Sequence, residues 1–182
     1  MENFIVFGIF SIPILLLSRR TLLNPGSHGF YRFFSWECIA WLLVSNYRFW
    51  FANPFSIGHI FSWIFLCFGA YLVIAGVIWL KKAGKPAKTR DEEALFEFEK
   101  TSKLVDTGIF KYIRHPLYSS LIFLTWGIFL KNVTLPLFIV ALASTVFLYL
   151  TALFDEKECT AYFGDKYTEY MKRTKRFIPF LL

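Results

Sequence analysis

The sequence predicts an all-α, polytopic membrane protein, and three observations support this. Of its residues 56% are hydrophobic and 21% aromatic, 23 of them Phe, more than a soluble domain of 182 residues needs for its core. The charges fall between long apolar runs instead of within them. The basic residues are also lopsided: 18 of the 20 Lys and Arg lie in every second polar segment. Such a bias marks the cytoplasmic side of a membrane.

The first apolar run, Phe4 to Leu17, contains Pro13 and reaches the lower crossing limit of about 17 residues only with its neighbours. Ser18-Arg19-Arg20 stops it, and Asn24-Pro25-Gly26-Ser27 signals a turn. His28, in this linker, reads as a solvated or interfacial side chain. Met1-Glu2-Asn3 is not the basic start of a cleavable leader. The second run, Phe33 to Phe51, carries Glu37 and Arg48 at a separation close to three helical turns, about 3.6 residues each, so both fall on one face near interfacial water. The third, Ile57 to Leu80, is long and clean, with Gly69, Ala70, Ala75 and Gly76 available for close helix contact. His59 at its start reads as a headgroup-level residue.

Lys81 to Lys103 is a polar connector. Lys81, Lys82, Lys85 and Lys88 surround Gly84 and Pro86, and the acidic residues Asp91, Glu92, Glu93, Glu97 and Glu99 read as a solvated face. Phe96-Glu97-Phe98-Glu99 alternates with period two, the pattern of a short extended segment. Cys38, Cys67 and Cys159 have no paired spacing, which argues against a disulfide framework and against a zinc site, and no other metal site is expected.

The segment Leu104 to Tyr118 then feeds a fourth span, about Leu117 to Lys131. Pro116 suits a first helical turn, and its ring pushes His115 out of the helical region. Arg114 and His115 then stand at the positive end of the helix, a place suited to an anion. Lys131 to Thr134 is a tight turn, and Leu135 to Phe154 returns as the fifth span. The ends of this hairpin, 112–118 and 155–158, therefore meet on one side. A C-terminal segment, 155–182, bends near Gly164 and lies on the membrane surface. The chain thus reads as a single domain of three N-terminal spans (1–80), a connector (81–116), the hairpin (117–154) and this segment. The positive-inside bias puts the N-terminus outside and the C-terminus in the cytoplasm. The net charge of +7 is met by anionic membrane lipid and requires no nucleic acid.

On these residues the chain resembles the isoprenylcysteine carboxyl methyltransferases and the related phospholipid methyltransferases. Leu104-Val105, Gly108 and Arg114-His115-Pro116-x-Tyr118 open the hairpin. Asp155-Glu156, Phe163-Gly164-x-x-Tyr167-x-x-Tyr170, Arg173 and Pro179 follow it. Ser102 stands where the family often has His, and Phe110 where Tyr is common. The resemblance implies an integral-membrane enzyme using S-adenosylmethionine, with S-adenosylhomocysteine as product and a lipid-like or prenylated acceptor. It implies that Leu104, Val105 and Gly108 line the adenosine end. Arg114, His115 and Tyr118 would face the ribose and amino-acid part, and Glu156 would hold the ammonium or act beside the methyl group. Arg173 and Arg176 would stand at the substrate mouth, with Arg114 and Glu156 as the catalytic pair. A carboxylate acceptor would need a cation to orient it, for which Arg114 is suited; an amine would need a base, for which Glu156 is suited. Carboxylate, amine and thiol acceptors all remain open. Two rival readings stand beside this one. Membrane sterol reductases using NADPH carry a similar Arg-His-Pro-x-Tyr stretch, with Gly-Glu after the Tyr where this chain has Ser119-Ser120; the other rival is a non-catalytic membrane scaffold.

Overall fold

The computed structural model describes residues 1–85 and 94–179. Its elements are α1 (Glu2–Ser18), α2 (His28–Asn46), α3 (Ile57–Ala83), α4 (Pro116–Phe129), α5 (Leu135–Phe163) and α6 (Asp165–Arg173). Three single-turn 3₁₀ segments, Thr21–Leu23, Tyr47–Phe49 and Gly108–Lys111, lie in the connections. α3 and α5 are long and apolar enough to cross a membrane, whereas α1 and α4 are shorter apolar helices.

The helix starts follow local chemistry. Ser27 caps α2 by accepting from the Gly29 N–H, and Ser56 caps α3 by accepting from the His59 N–H. His115 precedes α4 at φ −122°, ψ 63°, outside the helical region as the following proline demands. At Gly164, φ +60° breaks the chain between α5 and α6, a turn that a side-chain-bearing residue rarely adopts.

The helices pack α1–α2–α5–α4–α3, with α2 also touching α4. Ile39, Leu42, Ile128, Phe129, Leu137 and Ala141 form the buried cluster among α2, α4 and α5. Ser144 links all three helices at mid-height, 3.0 Å from Ser35 Oγ and 3.2 Å from Thr125 Oγ1. α3 meets α4 through glycines, as expected. A Cβ on Gly69 would come within 3.0 Å of the Ser120 carbonyl, and one on Gly76 within 3.1 Å of Leu117.

Several expectations are corrected. His28 is fully buried, not solvated: its N–H and Nδ1 both meet the Glu158 carboxylate, at 2.9 and 2.6 Å. His59 is also buried, held by Ser56 Oγ at 3.0 Å and the Phe49 carbonyl at 2.8 Å. Residues 97–99 form a turn instead of an extended segment, because Phe96 and Glu99 close on one another through backbone and side chain. Glu97 is solvated and paired with Lys100, whereas the Glu99 side chain is only 12% exposed; Asp91, Glu92 and Glu93 lie outside the described residues. α2 ends at Asn46, so Arg48 stands beyond it in the turn Tyr47–Phe49, and both Glu37 and Arg48 meet α1. Glu37 accepts from Ser11 Oγ at 2.6 Å, and Arg48 pairs with Glu2 at the surface.

Candidate functional site

The segment before α4 and the segment after α6 are stitched together edge to edge. Ile113 and Lys175 form a parallel bridge, in which Arg114 N donates to Lys175 O at 2.8 Å and Lys175 N to Tyr112 O at 3.0 Å. His115 N donates to Arg176 O at 3.1 Å, Ser119 Oγ to Phe177 O at 2.9 Å, and Tyr170 Oη to Phe110 O at 2.7 Å. These bonds satisfy backbone groups that the irregular 104–115 stretch leaves unpaired.

Glu156 sits at the centre of this seam, its side chain 9% exposed. Its Oε1 accepts from Arg114 Nε at 2.8 Å and Arg176 Nε at 3.0 Å, and lies 3.3 Å from His115 Nε2; its Oε2 accepts from Arg176 Nη2 at 2.8 Å. Arg114 Nη1 also reaches the carbonyls of Met171 and Thr174. The anion expected beside Arg114 and His115 is therefore the chain's own carboxylate. The apolar stretch of α5 ends at Phe154, so this network lies beyond it. Burial alone would raise the Glu156 pKa, but hydrogen bonds from His115, Arg176 and Arg114 override it and hold the carboxyl well below the usual range. Asp155 is lowered likewise: burial opposes ionisation, and His115 and Tyr118 hydrogen bonds with the His28 charge outweigh it. Burial would lower His115, whose bonds to Asp155 and Glu156 raise it instead.

Beside the seam lies a small cavity of about 90 Å³, partly open to solvent. Of the residues expected at the site, Leu104, Val105, Arg114, His115 and Tyr118 line it. Glu156 does not; its neighbour Asp155 takes the wall position, 3.5 Å from His115 Nδ1. Gly108 lies on the other side of the segment, at φ +61°, where a Cβ would fall 2.0 Å from the Trp79 ring. Its place is to let that indole pack against the backbone. Arg173 pairs with Asp106 at 2.5 Å in a separate shallow polar groove, and Arg176 lies with Glu156 and over the Tyr149 ring.

The cavity adds residues that the sequence reading did not place there: Glu99, Thr101, Asp155, Cys159, Tyr167 and Tyr170. The spacing of Tyr167 and Tyr170 was visible as a motif; nothing local in the sequence marked Glu99 or Cys159. Glu158, on the next turn of α5, belongs to the His28 tether. One ligand atom from each of His28, Asp155 and Glu158 lies within 4.8 Å of the others, but His28 and Glu158 already satisfy each other directly.

A methanethiol S-methyltransferase of Pseudomonas deceptionensis is 29% identical over 40% of this chain and 27% of its own length. Protein-S-isoprenylcysteine O-methyltransferase B of Arabidopsis thaliana is 29% identical over 65% of this chain and 61% of its own. A methanethiol S-methyltransferase of Crocosphaera subtropica is 28% identical over 43% of the chain and 30% of its own length. The matches thus span from about a quarter to under two thirds of these relatives. No solved structure matches. Residues 57–166 match the family described as phospholipid methyltransferase, a stretch running from the start of α3 into α6 and across the cavity's main walls, and the chain belongs to that family.

Proposed function

We propose that this protein transfers the methyl group of S-adenosylmethionine to a lipophilic acceptor at the cytoplasmic surface of a membrane. The observation that carries the reading is Asp155, held on the cavity wall by His115 and Tyr118 where the two family motifs meet. The cavity lining joins apolar walls (Leu104, Val105, Phe110) to carboxylates and tyrosines, which fits a nucleoside carrying a cationic amino-acid chain.

When bound, the cofactor supplies an electrophilic methyl group on a sulfonium. The chain's own residues align and desolvate: Leu104 and Val105 pack the apolar part, and the seam 110–119 with 170–177 closes the wall against water. Arg114 and Glu156 act as the pair that fixes this wall, with Arg176 as a third member. Asp155 is the member of the acidic pair that faces the cavity, placed to take the proton of an acceptor that must lose one.

A small or lipid-borne thiol is a second reading, favoured by the methanethiol S-methyltransferases among the relatives. The geometry supports it too. Two of the three guanidinium nitrogens of Arg114 are already committed to the chain, which leaves no bidentate fork for an acceptor carboxylate. Calorimetric titration of the detergent-solubilised protein with S-adenosylhomocysteine, with NADPH in parallel, tests the cofactor. Binding of the former alone is expected; binding of NADPH alone would move the protein to the reductases. Methyl transfer to alkanethiols and to a prenylated cysteine, run side by side, then assigns the acceptor.

We further infer five crossings, with the N-terminus outside. His28, Glu99, Arg114 and Asp155 gather at one end of the bundle, and the same end carries most of the Lys and Arg.

A further inference from the structure

Glu99 lies on the cavity wall, in a turn that the sequence marks only as acidic. Its side chain is 12% exposed, and the hydrogen bond that the described residues give it, from Phe96 N at 2.9 Å, goes to Oε2. Among the described residues the nearest cation, Arg32 Nη1, is 3.9 Å away, too far for a hydrogen bond. Arg32 is itself buried, its guanidinium 4.9 Å from the Trp36 ring centre and 5.0 Å from that of Phe96, and it donates to the Ala94 carbonyl. It thus grips both ends of the turn that carries Glu99 without neutralising Glu99 at close range.

A carboxylate buried this way is costly unless a cation or several donors reach it. Burial pushes the Glu99 carboxyl up, with Arg32 only partly opposing. Among the other acids near the cavity, Glu156 is saturated by Arg114, Arg176 and His115, and Asp155 is engaged by His115 and Tyr118. Glu99 is the wall carboxylate with acceptor capacity left over. A hydroxyl would bring a hydrogen bond without charge, whereas a primary ammonium brings both.

On the methyltransferase reading above, we infer that Glu99 holds the α-ammonium of the cofactor, and that Arg32, from a helix outside the family-matched segment, is its positioning residue. The site then depends on α2 as well as on residues 57–166.

The test is calorimetric titration of the full-length protein in detergent with S-adenosylhomocysteine and with its deamino analogue, in which hydrogen replaces the amine. Wild type is expected to bind the amine form more tightly. Glu99→Gln should weaken S-adenosylhomocysteine by about tenfold to a hundredfold, the range of a hydrogen bond to a charged group, and leave the deamino analogue unchanged. The unchanged analogue reports that the variant is folded. Glu99→Asp should recover part of the loss, and Arg32→Lys should raise KM for the cofactor while sparing kcat. Equal weakening of both ligands by Glu99→Gln would assign Glu99 a structural role and overturn the inference. Weakening of S-adenosylmethionine without S-adenosylhomocysteine would overturn it as well, by locating the contact at the sulfonium. If wild type binds neither ligand, the methyltransferase reading itself fails, a result distinct from both.

Discussion

Adjacent carboxylates on a helix point about 100° apart, and at Asp155 and Glu156 that rotation separates a wall residue from a structural one. Glu156 faces the seam and is enclosed by Arg114, Arg176 and His115; Asp155 faces the cavity. Substituting Glu156→Gln leaves two guanidiniums buried without their counter-charge. The expected loss is about 3–5 kcal/mol of stability, read as a lower unfolding temperature in detergent. Asp155→Asn should lower that temperature less, because it leaves no guanidinium without its counter-charge, and, with a thiol acceptor, should lower kcat by about 10²–10⁴. If the two variants exchanged these signatures, the assignment of the acids would be reversed. Gly108→Ala should also fold poorly around the site, since its Cβ would strike Trp79 at a positive φ; a left-handed backbone alone costs about 1–2 kcal/mol for such a residue. The acidic pair was legible as a pair, but which member faces inward depends on the register of α5 against α2 and α4. No local pattern encodes that register. The burial of His28 by Glu158, 130 positions away, was hidden for the same reason.

Where α4 begins and α5 runs out, stability and protonation are coupled. The groups facing His115 are Asp155 and Glu156 from α5 and Tyr118 from α4, with Arg114 and Arg176 closing on Glu156 and His28 acting on Asp155. Asp155 and Glu156 titrate lower in the folded chain, so their contribution is complete above about pH 4 and is lost as pH falls further. His115 titrates higher, so its contribution is complete below about pH 6.5 and fades as pH rises through its folded pKa. Unfolding temperature in detergent should therefore be highest between about pH 4 and 6.5 and fall on both sides. A curve still rising above neutral pH would show that His115 is not held protonated. The helices themselves were largely legible: Pro116, the glycines of α3, the tight turn after α4 and the break at Gly164 all sit where the sequence put them. The acidic turn was not, because Phe96 to Glu99 alternates like a strand while Arg32 and the Phe96 N–H fold it back.

Across the whole molecule, the cavity, the seam and the His28 tether lie at one end, while the Arg48–Glu2 pair and Lys131, stacked 3.5 Å over the Trp63 ring, lie at the other. Single cysteines at Glu2 and Lys166 should react oppositely with a membrane-impermeant maleimide applied to intact cells, the first labelled and the second protected. Labelling of both from outside would break the five-span topology. That topology was read from charge distribution alone. What composition could not show is how α2 is tied to the end of the bundle that holds the cavity: His28 meets Glu158, and Arg32 donates to the Ala94 carbonyl. The bridge between Ile113 and Lys175 has a consequence for truncated chains. Thr174 to Phe177, which pair with the segment before α4, come after every apolar helix in the chain. A chain that stops short of Phe177 therefore cannot close this seam, however many of its helices are already in place.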